Sequence, residues 1–238
     1  MKTIGLLGGM SWESTKEYYR ILNEVVREKM GGLHSAKCLL YSVDFQPIEE
    51  LLQKKRWSEL TEILSQAALK LKIAGADFLV ICTNTMHKLA SNIETLADME
   101  ILHIADSTGE IIKKKGLKKV CLLGTDFTMR ENFYSKRLLK HGIETIIPDD
   151  KDMETVNRII FDELCRGIIK ENSKLEYISI MNKAIENGAQ GIILGCTEIP
   201  LLVNQKDVTY PIFDTTVIHA TGAAMKAIYD DDYKTKPV

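Results

Sequence analysis

Gly75-Ala76-Asp77-Phe78-Leu79-Val80-Ile81-Cys82-Thr83-Asn84-Thr85 and Gly188-Ala189-Gln190-Gly191-Ile192-Ile193-Leu194-Gly195-Cys196-Thr197-Glu198 are two versions of one pattern. Each reads as the end of a helix, a short apolar strand, and a run of small polar or thiol residues where a strand gives way to a helix. Aligned, they pair Thr83 with Cys196 and Cys82 with Gly195. Strand neighbours alternate in direction, so only one of Cys82 and Thr83 can share the orientation of Cys196. Equivalent strand ends could therefore offer Thr83 and Cys196 to the two faces of a single small carbon centre.

The duplication extends beyond that pair. Lys2-Thr3-Ile4-Gly5-Leu6-Leu7-Gly8 recurs as Lys118-Lys119-Val120-Cys121-Leu122-Leu123-Gly124, and Tyr18 in the following helix matches Tyr134 at the same spacing of 116 residues. A third echo links Ile104-Ala105-Asp106-Ser107-Thr108 to Ile212-Phe213-Asp214-Thr215-Thr216, 108 residues apart. The echoes keep their order in both halves, as a duplicated module would leave them.

Short apolar runs alternate with amphipathic ones along the chain. Strands are predicted at Ile4 to Leu7, Lys37 to Ser42, Phe78 to Ile81, Ile101 to Ala105, Val120 to Leu123, Thr145 to Ile147, Gly191 to Leu194 and Val208 to Ile212. Helices are predicted at Thr15 to Lys29, Trp57 to Ala74, His87 to Leu96, Gly109 to Lys114, Arg130 to His141, Asp152 to Ile169, Ser173 to Asn187 and Thr216 to Tyr229. In the helix from Trp57, Leu60, Ile63, Leu64, Ala67, Ala68 and Leu71 fall at helical spacing. Strands separated by helices imply an α/β fold of parallel sheets covered on both faces. Two pseudo-symmetric lobes follow, and the halves are expected to trade their last strand and helix. One lobe would take residues 1–100 and 208–238, the other 101–207, with the active site in the cleft between them. Ligands of open parallel sheets bind outside the carboxyl ends of the strands. Those ends carry Gly8-Gly9-Met10-Ser11, Cys82-Thr83-Asn84-Thr85, Gly124-Thr125 and Gly195-Cys196-Thr197-Glu198.

Composition narrows the function classes. The 238 residues carry 31 Lys and Arg against 33 Asp and Glu, so no basic excess points to nucleic acid or an anionic membrane. The apolar run after Met1 is too short for a signal peptide and no run approaches membrane-spanning length, so a soluble cytoplasmic protein is expected. The five cysteines, 38, 82, 121, 165 and 196, are scattered without a Cys-x-x-Cys pair or a His at zinc spacing, which argues against a disulfide framework and a structural metal. Gly8-Gly9 lacks the spacing of a dinucleotide fingerprint and no Walker lysine is present.

Cys196 is the leading chemical candidate. It follows Gly195 at a strand end and precedes Thr197, which can cap a helix starting there. A thiol at a helix N-terminus is expected to favour its thiolate, the form that acts as base or nucleophile. Cys82 is the alternative on the other repeat, with core packing the better account of it, as of Cys38, Cys121 and Cys165. Asn84, Thr85, Thr125 and Thr197 offer hydroxyl, amide and backbone N–H groups suited to a carboxylate, and each could equally be a plain cap. Arg166 could pair with a second carboxylate or complement its own helix terminus.

The motifs Gly8-Gly9-Met10-Ser11-Trp12-Glu13-Ser14-Thr15, Cys82-Thr83-Asn84-Thr85-Met86-His87 and Gly195-Cys196-Thr197-Glu198-Ile199-Pro200 resemble the aspartate/glutamate racemase family, in its aspartate racemase and broad amino-acid racemase branch, over nearly the whole chain. The resemblance implies a two-lobed isomerase that needs no pyridoxal phosphate, other cofactor or metal, and that is a homodimer acting on aspartate or glutamate. Two cysteines of that family flank the α-carbon, one removing its proton and one supplying another. Carried over, Cys196 is one acid/base and Thr83 stands where the other cysteine would be. Asn84, Thr85, Thr125 and Thr197 surround the α-carboxylate, Met10 lies at the pocket edge, and Arg166 falls where a basic residue meets the side-chain carboxylate. Threonine in place of the first cysteine is a departure, because an alcohol is a far weaker acid than a thiol of pKa about 8.5. It predicts a bias in which Cys196 deprotonates the L enantiomer and Thr83 assists reprotonation. The same resemblance extends to hydantoin racemases, maleate isomerases and arylmalonate decarboxylases, some with one cysteine, and a non-catalytic amino-acid-binding protein is a further alternative.

Overall fold

The computed structural model describes residues 1–230. Two compact units divide the chain, Met1–His103 with the stretch that begins at His219, and Ile104–Ile218. Each is built on a parallel sheet with helices between its strands.

In the first unit β1 (Ile4–Gly8) lies between β2 (Cys38–Ser42) and β3 (Phe78–Ile81). α1 (Trp12–Met30), α2 (Phe45–Gln53) and α3 (Trp57–Ile73) connect these strands, and α4 (Ala90–Ala97) follows β3. The second unit opens with α5 (Ile104–Lys114) and centres on β4 (Lys119–Gly124), which lies between β5 (Glu144–Ile146) and β6 (Ile192–Gly195), with β7 (Ile212–Asp214) outside β6. Between these strands run α6 (Asp126–Arg130), α7 (Asn132–Lys140), α8 (Asp150–Asp162) and α9 (Glu171–Glu186), and α10 (Thr215–Tyr229) follows β7.

The registers match the repeat. Leu7 pairs with Ile81 in the first sheet, and their counterparts 116 and 113 residues further on, Leu123 and Leu194, pair in the second. Tyr18 and Tyr134 are fully buried and play parallel parts. Tyr18 donates its hydroxyl hydrogen bond to His219 on α10 at 2.8 Å, and Tyr134 donates to Thr108 on α5 at 3.3 Å.

The exchange between halves is narrower than expected. β7 pairs with β6 through Ile192 opposite Ile212, so residues 208–218 belong to the second unit, and residues 101–103 stay with the first. Only the helices are traded. Ala220, Ala223, Ala224 and Ala227 of α10 pack on Ile4, Leu6, Phe78 and Val80, small side chains that permit a close approach to the first sheet. Ile104, Ala105 and Ile112 of α5 pack on Val120 and Leu122 of the second. The third echo is therefore one of composition and not of structure, because Ile104 to Thr108 is helical whereas Ile212 to Asp214 is a strand. Of the strand expected over Ile101 to Ala105, a single bridge from Ile101 to Leu79 forms.

Among the described residues no helix is long and apolar enough to cross a membrane. Glycine is required where the central strands of the second sheet end. A Cβ on Gly124 would lie 2.9 Å from the Gly195 carbonyl oxygen and 3.1 Å from Thr128 Cγ2, and one on Gly195 would lie 2.8 Å from the Leu123 carbonyl. Backbone on both sides leaves nowhere to move, so Gly124→Ala is expected to lose about 1–3 kcal/mol. Urea unfolding of the variant beside the native chain measures it, and an unchanged midpoint would contradict this packing.

Candidate active site

At the carboxyl end of the first sheet, the turn from β1 into α1 is fixed by short side chains. Gly9 has φ +92° and a Cβ there would meet the Val43 carbonyl, so the chain needs glycine. Thr15 Oγ1 accepts from the Gly9 N–H at 2.9 Å and donates to the Ser11 carbonyl at 2.8 Å. Ser14 Oγ lies 3.1 Å from that carbonyl and 3.3 Å from the Cys82 carbonyl, joining the turn to the end of β3. Met10 is buried in this turn.

Beyond β3 the two candidates separate. Cys82 is fully buried beside Ile4, Leu6 and Tyr18, its thiol directed at the Val80 carbonyl 3.7 Å away and pushed far up in pKa by burial. It is a core residue. Thr83 is partly exposed, and Asn84 and Thr85 beside it are buried. Thr85 opens a 3-10 helix, Thr85–Leu89, in place of an α-helix N-terminus.

Three histidines that the sequence did not single out as a group stand behind this segment. His87 Nδ1 donates to the Thr83 carbonyl at 2.8 Å, and its ring centroid is 4.6 Å from that of His103 and 5.4 Å from that of His219. His219 is fully buried, with Nε2 donating to the Leu102 carbonyl and Nδ1 accepting from Tyr18, both at 2.8 Å. These partners set one neutral tautomer, and burial lowers the imidazole pKa to about 4.

In the second unit, Gly124 and Gly195 are register partners, so Thr125 and Cys196 leave the sheet from adjacent strands. Thr125 caps α6, its Oγ1 accepting from the Thr128 N–H at 3.3 Å. Cys196 is 7% exposed and donates to Glu198 Oε2 at 3.0 Å. Thr197 donates its hydroxyl to the same oxygen at 2.8 Å. Glu198 is itself 5% exposed. The expected thiolate at an α-helix N-terminus is corrected here on two counts. A 3-10 turn, Ile199–Leu201, follows in place of an α-helix, and the Cys196 thiol is raised well above its ordinary pKa, first by burial and then by the Glu198 charge. Thr197 serves Glu198 and not a helix.

Arg166 lies past the end of α8, in the 3-10 turn Leu164–Arg166, with its side chain 69% exposed and 4.0 Å from Asp162. The helix expected to reach Ile169 stops at Asp162, because Glu163 leaves helical geometry and Gly167 follows at φ +72°. Cys121 is buried in the core, with Cys38 and Cys165 packed at core edges. Glu198, quoted in a motif without a role, is the residue that sequence reasoning passed over. The signal for it was an acid two positions beyond a thiol in a segment otherwise free of charge.

The two parallel sheets, and the polar strand ends just described, belong to a known family. Residues 7–223 match the model of the Asp/Glu/hydantoin racemases, and the chain belongs to that family. It is 55% identical to a candidate Asp/Glu racemase from Yersinia pestis whose crystal structure matches 96% of this chain and all of that one, at a TM-score of 0.90. An aspartate racemase homologue from Pyrococcus horikoshii OT3 is 37% identical, with coverage of 96% and 100% and a TM-score of 0.83. The broad specificity amino-acid racemase RacX of Bacillus subtilis (strain 168) is 24% identical over 90% of this chain and 92% of its own length.

The lowered pKa of His219 gives the first unit a pH signature. Between about 4 and 6.5 the unfolded chain binds a proton at this residue that the folded chain does not, so stability falls as pH falls through that window. The contribution has a slope of at most about 1.4 kcal/mol per pH unit. His219→Gln is expected to flatten the pH dependence of unfolding measured in urea from pH 7 to 4. Equal slopes for the two proteins would contradict a neutral His219.

Proposed function

We propose that this chain is an amino-acid racemase acting on aspartate or glutamate without pyridoxal phosphate. Cys196 removes the α-proton of the L enantiomer, and Thr83 assists the return of a proton to the other face. The observation that carries the proposal is a buried thiol hydrogen-bonded to a buried carboxylate at a strand end, in a chain of the Asp/Glu/hydantoin racemase family.

The α-proton of an amino acid is weakly acidic, so the developing enolate-like carboxylate needs preorganised donors. In this reading Asn84 and Thr85 of the first unit and Thr125 of the second offer amide, hydroxyl and backbone N–H groups of that kind, Thr197 offers its backbone N–H while its hydroxyl holds Glu198, and Met10 is the apolar residue at the pocket edge. Arg166 would receive the side-chain carboxylate, which must compete with Asp162 for the guanidinium. The asymmetry of thiol and alcohol sets the direction of the bias. A thiol can pass through its anion near neutral pH, whereas an alcohol can only donate or relay.

A second reading is favoured by threonine at position 83, matched to Cys196 in the repeat, with Cys82 turned into the core: an isomerase or decarboxylase of another small carboxylic acid, as in the hydantoin racemase, maleate isomerase and arylmalonate decarboxylase types. Chiral chromatography after incubation with L- and D-aspartate, L- and D-glutamate, a hydantoin, maleate and an arylmalonate separates the two. The expected result is D product from L-aspartate or L-glutamate. Cys196→Ala should lower that rate by about 10³-fold or more, Thr83→Ala should lower it by less, and Cys82→Ala should leave it near the native value. Turnover confined to maleate or an arylmalonate would replace the proposal, and loss of activity in Cys82→Ala with Thr83→Ala unaffected would move the second role to Cys82.

A further inference from the structure

Glu198 is placed where a site that merely stored a thiolate would not put it. Its carboxylate lies against the sulfur, and the negative charge opposes ionisation of Cys196 instead of promoting it. Burying a carboxylate is costly, so a buried one directed at a sulfur calls for a reason. Thr197 donates to the same Oε2 and fixes that oxygen on the thiol. The other ionisable groups that bear on Cys196 are Cys165, from the turn after α8, and Tyr177 of α9, whose hydroxyl is committed to the Val156 carbonyl at 3.1 Å.

We infer that Glu198 is the proton acceptor for Cys196, a positioning residue that orients the thiol and holds its proton while the sulfur works as a base. This deepens the racemase reading and rests on it. The S–H bond breaks as an O–H bond forms on Oε2, leaving a thiolate beside a neutral carboxylic acid. The thiolate takes the α-proton, re-forming S–H and leaving the electron pair on the α-carbon, where a proton supplied from the other face closes the new C–H bond. Glu198 then releases its proton to water, and water recharges the opposite donor. Charge and protons balance over the cycle.

Two measurements on the full chain test this. The first is the pH dependence of Cys196 alkylation by iodoacetamide, read by peptide mass spectrometry. The second is kcat and KM for racemisation of the L substrate. In Glu198→Gln the alkylation midpoint is expected to move to lower pH, because the opposing charge is gone. At the same time kcat falls by about 100-fold or more while KM stays within about threefold. A variant with more thiolate and less turnover is a combination that a purely structural role would not give. Glu198→Asp, which keeps a carboxylate but draws it back from the sulfur, should recover part of kcat, and it carries the comparison if the glutamine variant does not fold. A midpoint that stays or rises, or a kcat within threefold of native, overturns the inference while leaving the racemase reading intact. A native chain that alkylates at Cys196 yet racemises neither aspartate nor glutamate overturns that reading, and this inference with it.

Discussion

The parallel register of β4 and β6 is the constraint on which the second unit's site depends. With Gly124 opposite Gly195, two adjacent strands end level, and Thr125 and Cys196 leave the sheet together. Neither glycine can take a side chain without meeting backbone at under 3 Å, so the level ending and the close strand approach are one feature. The first sheet keeps the ladder at the same place, the Cys82 N–H donating to the Leu7 carbonyl at 2.9 Å, but there Gly8 is crowded by the Thr15 and Leu40 side chains and not by the backbone of a neighbouring strand. The two sheets share this ladder geometry, and the side chains at its ends differ.

The divergence shows in how each end handles charge. The first unit sets imidazoles behind its strand end, one with its tautomer fixed by Tyr18 and Leu102 and a second bonded to the Thr83 carbonyl. The second unit buries a carboxylate and lets a thiol and an alcohol share one of its oxygens. In that setting burial and a neighbouring negative charge outweigh any backbone dipole at Cys196. A thiol held protonated and aimed at an acceptor needs a proton transfer to become a base, which is a different resting state from a stored thiolate.

The fold was largely legible because apolar strands and amphipathic helices impose different periods. Ile4 to Leu7, Phe78 to Ile81 and Trp57 to Ala74 fall within a residue of the observed β1, β3 and α3. Misreadings arose where tertiary contacts override local pattern. Ile101 to Ala105 looked like a strand, but Ile104 and Ala105 are apolar because α5 buries them in the second unit. The helix Phe45–Gln53 is absent from the sequence reading; its Pro47 sits in the first turn, where no N–H is required, so the residue does not break it. Val208 to Ile212 was placed in the other lobe, since sequence gives no sign of which sheet edge accepts a final strand. At the candidate site the residue types at the strand ends could be read directly, whereas the partner of Cys196 could not. Whether Thr197 caps a helix or binds Glu198 depends on whether the turn after Cys196 is α or 3-10, and Glu198-Ile199-Pro200 is compatible with either.

Proton exchange at the α-carbon tests the central claim most directly, since it reports removal of the proton whether or not inverted product accumulates. Proton NMR of L- and D-substrate in heavy water, with native chain and with Cys196→Ser, measures it. The account predicts loss of the α-proton signal faster from the L enantiomer than from the D, and none above background from either in Cys196→Ser. Faster exchange from the D enantiomer, or exchange that survives in Cys196→Ser, would contradict it.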